Sequence, residues 1–229
     1  MAVMENSGRA ITGPEDEMTA ARARTGRPPL TEQRKAEIRL EIARAAVDLF
    51  VEQGVTATTG EQIGQAVGVS ARTVWRYFPS KESCVQPLFS AGIDAIAECL
   101  RHWRPGEPLE EIFDHGLLAD HGLAQGPERT TVGALVRLTR TEPGLRAVWL
   151  QTYDEAEPAF ARALAERAAL PADDLRPAIQ AAMFNAALRA AVEHHAWHTA
   201  DPAPDAAATR AGLESALRTA LELAARGLA

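Results

Sequence analysis

The sequence is poor in cysteine, in aromatic residues and in long apolar runs. Only two cysteines occur among its 229 residues, and the spacing of Cys84 and Cys99 fits neither a metal site nor a disulfide framework. No apolar run reaches the roughly 18 residues that a membrane span needs, and residues 1–20 lack the apolar core of a secretory signal. We therefore expect a soluble cytoplasmic protein with reduced thiols and no membrane partner.

Catalytic and metal-binding motifs are also missing. The sequence has no G-x-S-x-G, no P-loop and no G-x-G-x-x-G after a strand, and Cys99 with His102 lacks an orienting partner. His194 and His198 stand one helical turn apart and could bind a metal, but no third ligand has a suitable spacing. We predict no catalytic residue, no metal and no cofactor, and a helical enzyme remains the less favoured alternative.

Strand patterns are absent as well, because the alanine-rich sequence has almost no alternation of apolar and polar residues. Apolar residues recur instead at spacings of three and four, and prolines and glycines separate the helical stretches. Beyond residue 80, the predicted helices cover 81–103, 107–121, 128–141, 143–169, 171–199 and 204–227. Pro87 and Pro158 are expected to kink or shorten two of them. The predicted fold class is all-α.

Charge is distributed unevenly along the chain. The net charge is -7, yet residues 22–86 carry three more basic than acidic side chains. Residues 1–30 are rich in glycine and proline and poor in large apolar side chains, so we expect a disordered arm when the protein is free. Its arginines could reach along DNA phosphates or into a minor groove, or they could serve only solubility.

Residues 31–80 predict three helices in close succession. Thr31 can cap the first, whose apolar residues share one face. Thr58 or Thr59 can cap a short second helix, and Ser70 can cap a third.

The stretch AVGVSARTVWRYF favours a helix-turn-helix. Gly64 is small where two helices must cross, and Gly68, flanked by valines as buried anchors, tolerates the positive φ of a turn. Val74 and Phe78 can face the core with Ile63. The outward face then carries groups suited to phosphates, base edges and thymine methyls, namely Ala71, Arg72, Thr73, Trp75, Arg76 and Tyr77. A helical hairpin with solvated arginines would have the same spacing, so spacing alone leaves both possibilities open.

The run TTGEQIGQAVGVSARTVWRYFPSKESC, with the preceding AEIRLEIARAAVDLFVEQG, closely resembles the N-terminal DNA-binding domain of the TetR family of bacterial transcriptional regulators. The resemblance implies phosphate contacts by Thr59, Ser70, Tyr77 and Lys81, and base or phosphate contacts by Arg72, Thr73, Trp75 and Arg76. Trp75 stands where many relatives have tyrosine, and Gly64 where alanine is more usual. Lys81 begins a helix, where a cation is unfavourable without a nearby anion such as a phosphate.

The stretch 135–191 resembles the acyl-CoA-like ligand-binding domain of actinobacterial TetR-type regulators. This resemblance implies a long acyl, CoA-linked or otherwise hydrophobic effector, and a biosynthetic product or a drug fits equally well. The candidate pocket residues are Phe113, Leu117, Trp149, Tyr153, Met183 and Phe184. Such residues at helical spacing also form ordinary cores, so the pattern does not distinguish the two roles.

The last two predicted helices carry faces of small residues, for which the TetR resemblance implies a four-helix homodimer interface; the faces could also pack only inside one subunit. We predict an arm (1–30), a helix-turn-helix domain (31–80) and a ligand-binding and dimerisation domain (81–229). The implied function is a repressor that binds a palindromic double-stranded DNA operator as a dimer and is released by a small hydrophobic effector. An architectural DNA-binding protein without an effector is the alternative.

Overall fold

A computed structural model describes residues 31–103, 127–171, 173–199 and 206–226. The α-helices in these ranges are α1 Glu32–Gln53, α2 Gly60–Ala66, α3 Ala71–Tyr77, α4 Gln86–His102, α5 Pro127–Leu138, α6 Pro143–Arg167, α7 Leu175–His198 and α8 Ala206–Arg226, with a 3-10 turn at Glu82–Val85. The described ranges contain no strand, and the all-α prediction is confirmed. The predicted helix at 107–121 lies outside them.

The chain divides into two compact units, residues 1–35 and residues 36–229. In the first unit, the described residues begin α1, where the Thr31 Oγ1 accepts a hydrogen bond from the Arg34 N–H at 3.2 Å. This bond satisfies one of the N–H groups that a helix start leaves unpaired, as the predicted N-cap requires.

Within the second unit, α1 buries one face and exposes the other. Ile42, Ala46 and Phe50 are buried, whereas Arg39 and Arg44 are exposed. This is the arrangement that the spacing of three and four predicts.

The two prolines affect their helices differently, since the predicted 81–103 helix begins only at Gln86, next to Pro87. Pro87 lies in the first turn of α4, where its missing N–H has no partner to lose. Pro158 lies inside α6, which runs without interruption from Pro143 to Arg167, so it does not shorten the helix, and the expected kink stays a prediction.

The C-terminal helices form a layered core. Helix α6 packs against α4 and α7, and α7 also packs against α5 and α8. The ring of Trp149 lies 4.7 Å from both the Phe89 ring of α4 and the Tyr153 ring, centroid to centroid. Aromatic edge-to-face contacts of this kind join α4 to the middle of α6.

Both cysteines are buried free thiols. Burial, and then the charge of Glu82, raises the pKa of Cys84 to about 12, and burial raises the pKa of Cys99. Neither thiol is ionised at neutral pH, so neither has the thiolate that reactive cysteines need. Every helix among the described residues is too short or too polar to span a lipid bilayer.

Candidate nucleic-acid interface

The turn between α2 and α3 depends on two glycines. A Cβ on Gly64 would lie 2.6 Å from the backbone oxygen of Val69, so only glycine lets the turn approach α2 this closely. Gly68 has a φ of 71°, in the left-handed region that glycine adopts without strain. The predicted roles of both glycines are confirmed, and the tight crossing explains why alanine does not fit at position 64.

The inner side of α3 is locked by aliphatic packing. Ile63 and Val74 are 0% exposed and Phe78 is 2% exposed, as predicted. Val67 and Val69 pack only partly against this core, so they are weaker anchors than expected.

Side-chain caps begin both short helices. The Thr59 Oγ1 accepts from the Gln62 N–H at 3.3 Å, and the Gln62 Oε1 accepts from the Thr59 N–H at 2.8 Å. This reciprocal capping box identifies Thr59, rather than Thr58, as the cap of α2. Ser70 caps α3 by accepting from the Thr73 N–H at 3.2 Å.

The outward side of α3 carries its charged and aromatic side chains. Arg72, Trp75 and Arg76 are exposed, and with Thr73 they line a shallow hollow of about 350 Å³. Because the buried side of α3 is fixed by core packing, the exposed side chains form a small rigid surface suited to contact with a groove of DNA.

Trp75 contacts Gly60, a residue that the sequence analysis did not identify. A Cβ on Gly60 would clash with the Trp75 ring, so the indole covers Gly60 at the start of α2. The Trp75 side chain is still 43% exposed. A glycine directly after a helix cap, where other residues are better helix formers, is the pattern that could have identified this contact.

Tyr77 is only partly exposed, with the guanidinium carbon of Arg76 5.0 Å from the centroid of its ring. This cation–π distance favours a fixed position for the arginine beside the hydroxyl-bearing ring.

Lys81 has internal partners. Its Nζ donates to the backbone oxygens of Val55 at 2.5 Å, Thr58 at 3.0 Å and Thr56 at 3.3 Å. An ammonium has three N–H donors, so this set uses all of them to hold the segment between α1 and α2. The unfavourable helix-start position is therefore offset by backbone carbonyls, without any phosphate.

The candidate pocket residues fall into three groups. Trp149, Tyr153 and Phe184 are buried in the α6–α7 layer. Met183 is 40% exposed and lies outside that buried interior, and its role in ligand binding stays a prediction. Phe113 and Leu117 lie outside the described residues.

The small-residue faces of the last two helices are divided between interior and surface. Buried inside the subunit are Ala181, Ala191, Leu217 and Leu221, whereas Ala182, Ala186 and Ala190 are exposed. The buried set packs within the chain, and a partner contact by the exposed set stays a prediction.

Two histidine rings stack at the end of α7. The centroids of the His194 and His198 rings are 4.3 Å apart, and the His198 Nδ1 is 2.7 Å from the His194 backbone oxygen. Among the described residues, no group of three or more metal-ligating side chains comes together.

Comparison with known proteins gives matches over both halves of the chain. The family model described as "Bacterial regulatory proteins, tetR family" matches residues 42–88, and the model described as "MftR C-terminal domain" matches residues 108–229. The chain is 33% identical over 179 residues to the HTH-type transcriptional regulator TcmR of Streptomyces glaucescens, covering 75% of this chain and 79% of that protein.

Solved structures share the fold at lower identity. Salmonella enterica GusR matches with a TM-score of 0.51 at 19% identity, covering 85% of this chain and 99% of that one. A TetR-family transcriptional regulator from Rhodococcus sp. matches with a TM-score of 0.50 at 17% identity, covering 81% and 99%. The helix-turn-helix geometry, the family models and the curated relative agree: the chain belongs to the TetR family of bacterial transcriptional regulators and is a DNA-binding regulator, not an enzyme.

Proposed function

We propose that this regulator is a cytoplasmic repressor that binds a palindromic operator as a homodimer and is released by a small hydrophobic effector. The main support for the proposal is that α3 has one buried side and one exposed, basic side. Val74 is fully buried beneath a surface on which Arg72, Trp75 and Arg76 are exposed. A rigid helix that presents arginines outward is suited to reading base edges in a major groove.

The roles on DNA follow the position of each side chain. We propose that Thr59, Ser70 and Tyr77 contact phosphates, that Arg72, Thr73, Trp75 and Arg76 contact bases or phosphates, and that Lys81 contributes charge. Phosphate contacts set the register of the protein on the duplex, and base contacts provide the sequence preference. The proposed domain boundaries remain 31–80 and 81–229.

A second copy of the chain is the proposed partner of α7 and α8. Leu175, Ile179 and Met183 recur every four residues along α7, and Ile179 is 50% exposed. Nearer the C-terminal end of α7, a groove of about 790 Å³ between α7 and α8 is lined largely by small residues such as Ala190 and Gly212. Small residues allow close helix packing, and a two-fold dimer presents two copies of α3 to two half-sites.

The effector is proposed to act through α6 and α4. Trp149 of α6 contacts Phe89 of α4, and the Gln86 Nε2 of α4 donates to the Glu155 Oε2 of α6 at 2.9 Å. Helix α4 follows the helix-turn-helix after a single 3-10 turn, so we propose it as the lever between effector and DNA. An effector lowers operator affinity only by its differential affinity for the two conformations. An acyl chain is one candidate for its apolar part.

Selection of bound sequences from random duplexes tests this proposal and gives half-site and spacing together. We expect two inverted half-sites about one helical turn apart. Recovery of sequences with no shared half-site, or of single sites only, would contradict the palindromic operator and favour the architectural alternative.

Arg72→Ala is expected to relax the preference at one base position of the selected operator by about 1–3 kcal/mol, because it removes a candidate bidentate base contact. Titration against operator and scrambled duplexes measures the effect. Tyr77→Phe, which removes only a hydroxyl, is the comparison and should weaken binding to both duplexes alike. Equal losses on both duplexes for Arg72→Ala would exclude it from base reading.

Ile179→Glu is expected to raise the dimer dissociation constant by about a hundredfold or more, because the interface would bury an unpaired carboxylate. Sedimentation equilibrium measures the change. Leu150→Glu is the matched control, since Leu150 is a similarly exposed aliphatic residue on α6 and not part of the Leu175, Ile179 and Met183 stripe of α7. A dimer that survives Ile179→Glu unchanged would place the interface elsewhere.

A further inference from the structure

One side chain in the α6–α7 layer is incompletely satisfied. Asn185 is 7% exposed, and its Nδ2 donates to the Tyr153 backbone oxygen at 3.0 Å and to the Glu157 Oε2 at 3.1 Å. Its Oδ1 is buried and has no hydrogen-bond partner among the described residues. A buried carbonyl without a donor is unfavourable, and such atoms in native proteins call for an explanation.

The orientation of this amide is fixed by its neighbours. Both partners of the Nδ2 are acceptors, so a flipped amide would set the Oδ1 against a carbonyl and a carboxylate. The Oδ1 must therefore point away from Tyr153 and Glu157, as an acceptor held in place. Two turns further along α7, Glu193 shows the contrast, because its Oε1 accepts from Arg146, Trp149 and Arg189.

The surroundings of Asn185 on α6 and α7 are aromatic and rich in acceptors. Phe184, its neighbour in sequence, packs edge-to-face on Phe160 with centroids 5.1 Å apart, and Tyr153 packs on Trp149. Glu157 adds a carboxylate beside the amide. A molecule that entered this layer beside Asn185 would meet aromatic rings and hydrogen-bond acceptors, which suits a hydrogen-bond donor.

We infer that the Asn185 Oδ1 accepts a hydrogen bond from a hydroxyl or N–H of the effector, which is therefore a hydrophobic, ring-bearing molecule with a donor rather than a simple acyl chain. This inference rests on the proposed effector-controlled function and names its ligand class. It assigns Asn185 as a residue that determines effector specificity.

Helix α6 has a feature that would help the layer to open. Pro158 lacks the N–H that would bond the Asp154 carbonyl, so α6 has one hydrogen bond fewer beside Glu157. Proline is a common cause of helix bending, and a bend here would separate α6 from Asn185 of α7. The ligand-bound conformation, with α6 bent away, would then differ from the ligand-free conformation next to Asn185, where the ligand forms its hydrogen bond.

Two ring-bearing probes that differ in one donor test the inference on the full-length, DNA-free protein. We expect 1-naphthol to bind about tenfold tighter than 1-methoxynaphthalene in calorimetric titrations, equivalent to about 1.4 kcal/mol, because only the naphthol can donate to the Oδ1. Failure of 1-naphthol to bind, or equal affinities for the two compounds, would overturn the inference.

Asn185→Leu localises the effect. This variant should bind both probes equally, because it removes the acceptor and keeps the volume. Thr152→Val is the matched control, since the Thr152 hydroxyl already donates to the Val148 oxygen at 2.8 Å, and it should retain the tenfold preference. If Asn185→Leu still bound 1-naphthol about tenfold tighter than 1-methoxynaphthalene, another group would be responsible for the preference, and the proposed role of Asn185 would be refuted.

A direct readout does not depend on the variant folding. Asn6 and Asn185 are the two asparagines of the chain, so ¹⁵N-asparagine labelling gives two side-chain amide pairs. At saturation, 1-naphthol should shift one pair more strongly than 1-methoxynaphthalene does, because only the naphthol donates to the Oδ1, and equal shifts with the two bound probes would overturn the inference. Operator binding is measured separately. If the probe-free protein did not bind an operator, the proposed function would be contradicted. If it bound DNA but did not discriminate between the two probes, only this inference would be contradicted.

Discussion

Lys81→Met is expected to destabilise the helix-turn-helix by about 2 kcal/mol and to lower Tm by about 4–8 °C. The side chain donates to the backbone oxygens of Val55, Thr56 and Thr58, and methionine keeps the methylene stem but none of the donors. Val55 and Thr58 are buried, so water replaces the lost bonds only in part. Thermal unfolding followed by circular dichroism measures the effect.

Arg76→Met is the matched control for Lys81→Met. Arg76 is an exposed cation on the outward side of α3, so its loss should weaken DNA binding and leave Tm nearly unchanged. Lys81→Met should lower Tm even without DNA. A Lys81→Met protein with wild-type Tm and uniformly weaker binding to every duplex would instead support a direct phosphate contact by Lys81.

The helix-turn-helix could be predicted from sequence because its determinants are local. The caps at Thr59 and Ser70, the positive φ of Gly68 and the inward side of α3 each depend on residues within one or two turns. The partners of Lys81 lie 23–26 residues away along the chain, and no local pattern indicates them. The Trp75 contact with Gly60 also requires α2 and α3 to be assembled.

The C-terminal half was less predictable because α7 is apolar on more than one side. Ile179 and Met183 follow the same helical spacing as the buried Ala181, Phe184 and Leu188, and periodicity alone does not say which stripe faces inward. Packing on α6 decides this, and it buries Phe184 while leaving Met183 exposed.

Two polar residues of α7 were also missed. Asn185 and Glu193 lie on the buried side of the helix and bond to α6. A polar residue within an apolar stripe was the available indication, but its partners on another helix depend on the rotation and register of both helices. The sequence could therefore suggest an interior site in this half without naming the residues that define its chemistry.

Glu193→Ala is expected to have the largest effect on the C-terminal half, lowering the free energy of unfolding by about 3 kcal/mol and Tm by about 6–12 °C. Glu193 is 6% exposed, and its Oε1 accepts from the Arg146 Nη1 at 2.5 Å, the Trp149 Nε1 at 2.8 Å and the Arg189 Nη1 at 3.3 Å. Alanine leaves the buried indole N–H of Trp149 without an acceptor and two guanidinium groups without a counter-charge.

The arginine side chains are each 30% exposed, so water recovers part of this loss, and the expected value lies at the low end for a broken buried ion pair. Glu193→Gln should lose roughly half as much, because it keeps an acceptor for the indole and removes only the charge. Glu166→Ala, an exposed carboxylate on α6, is the control and should leave Tm nearly unchanged. If the Glu193→Ala and Glu166→Ala proteins had the same Tm, water would be replacing the carboxylate at all three donors. Helices α6 and α7 would then be held together by their apolar contacts alone.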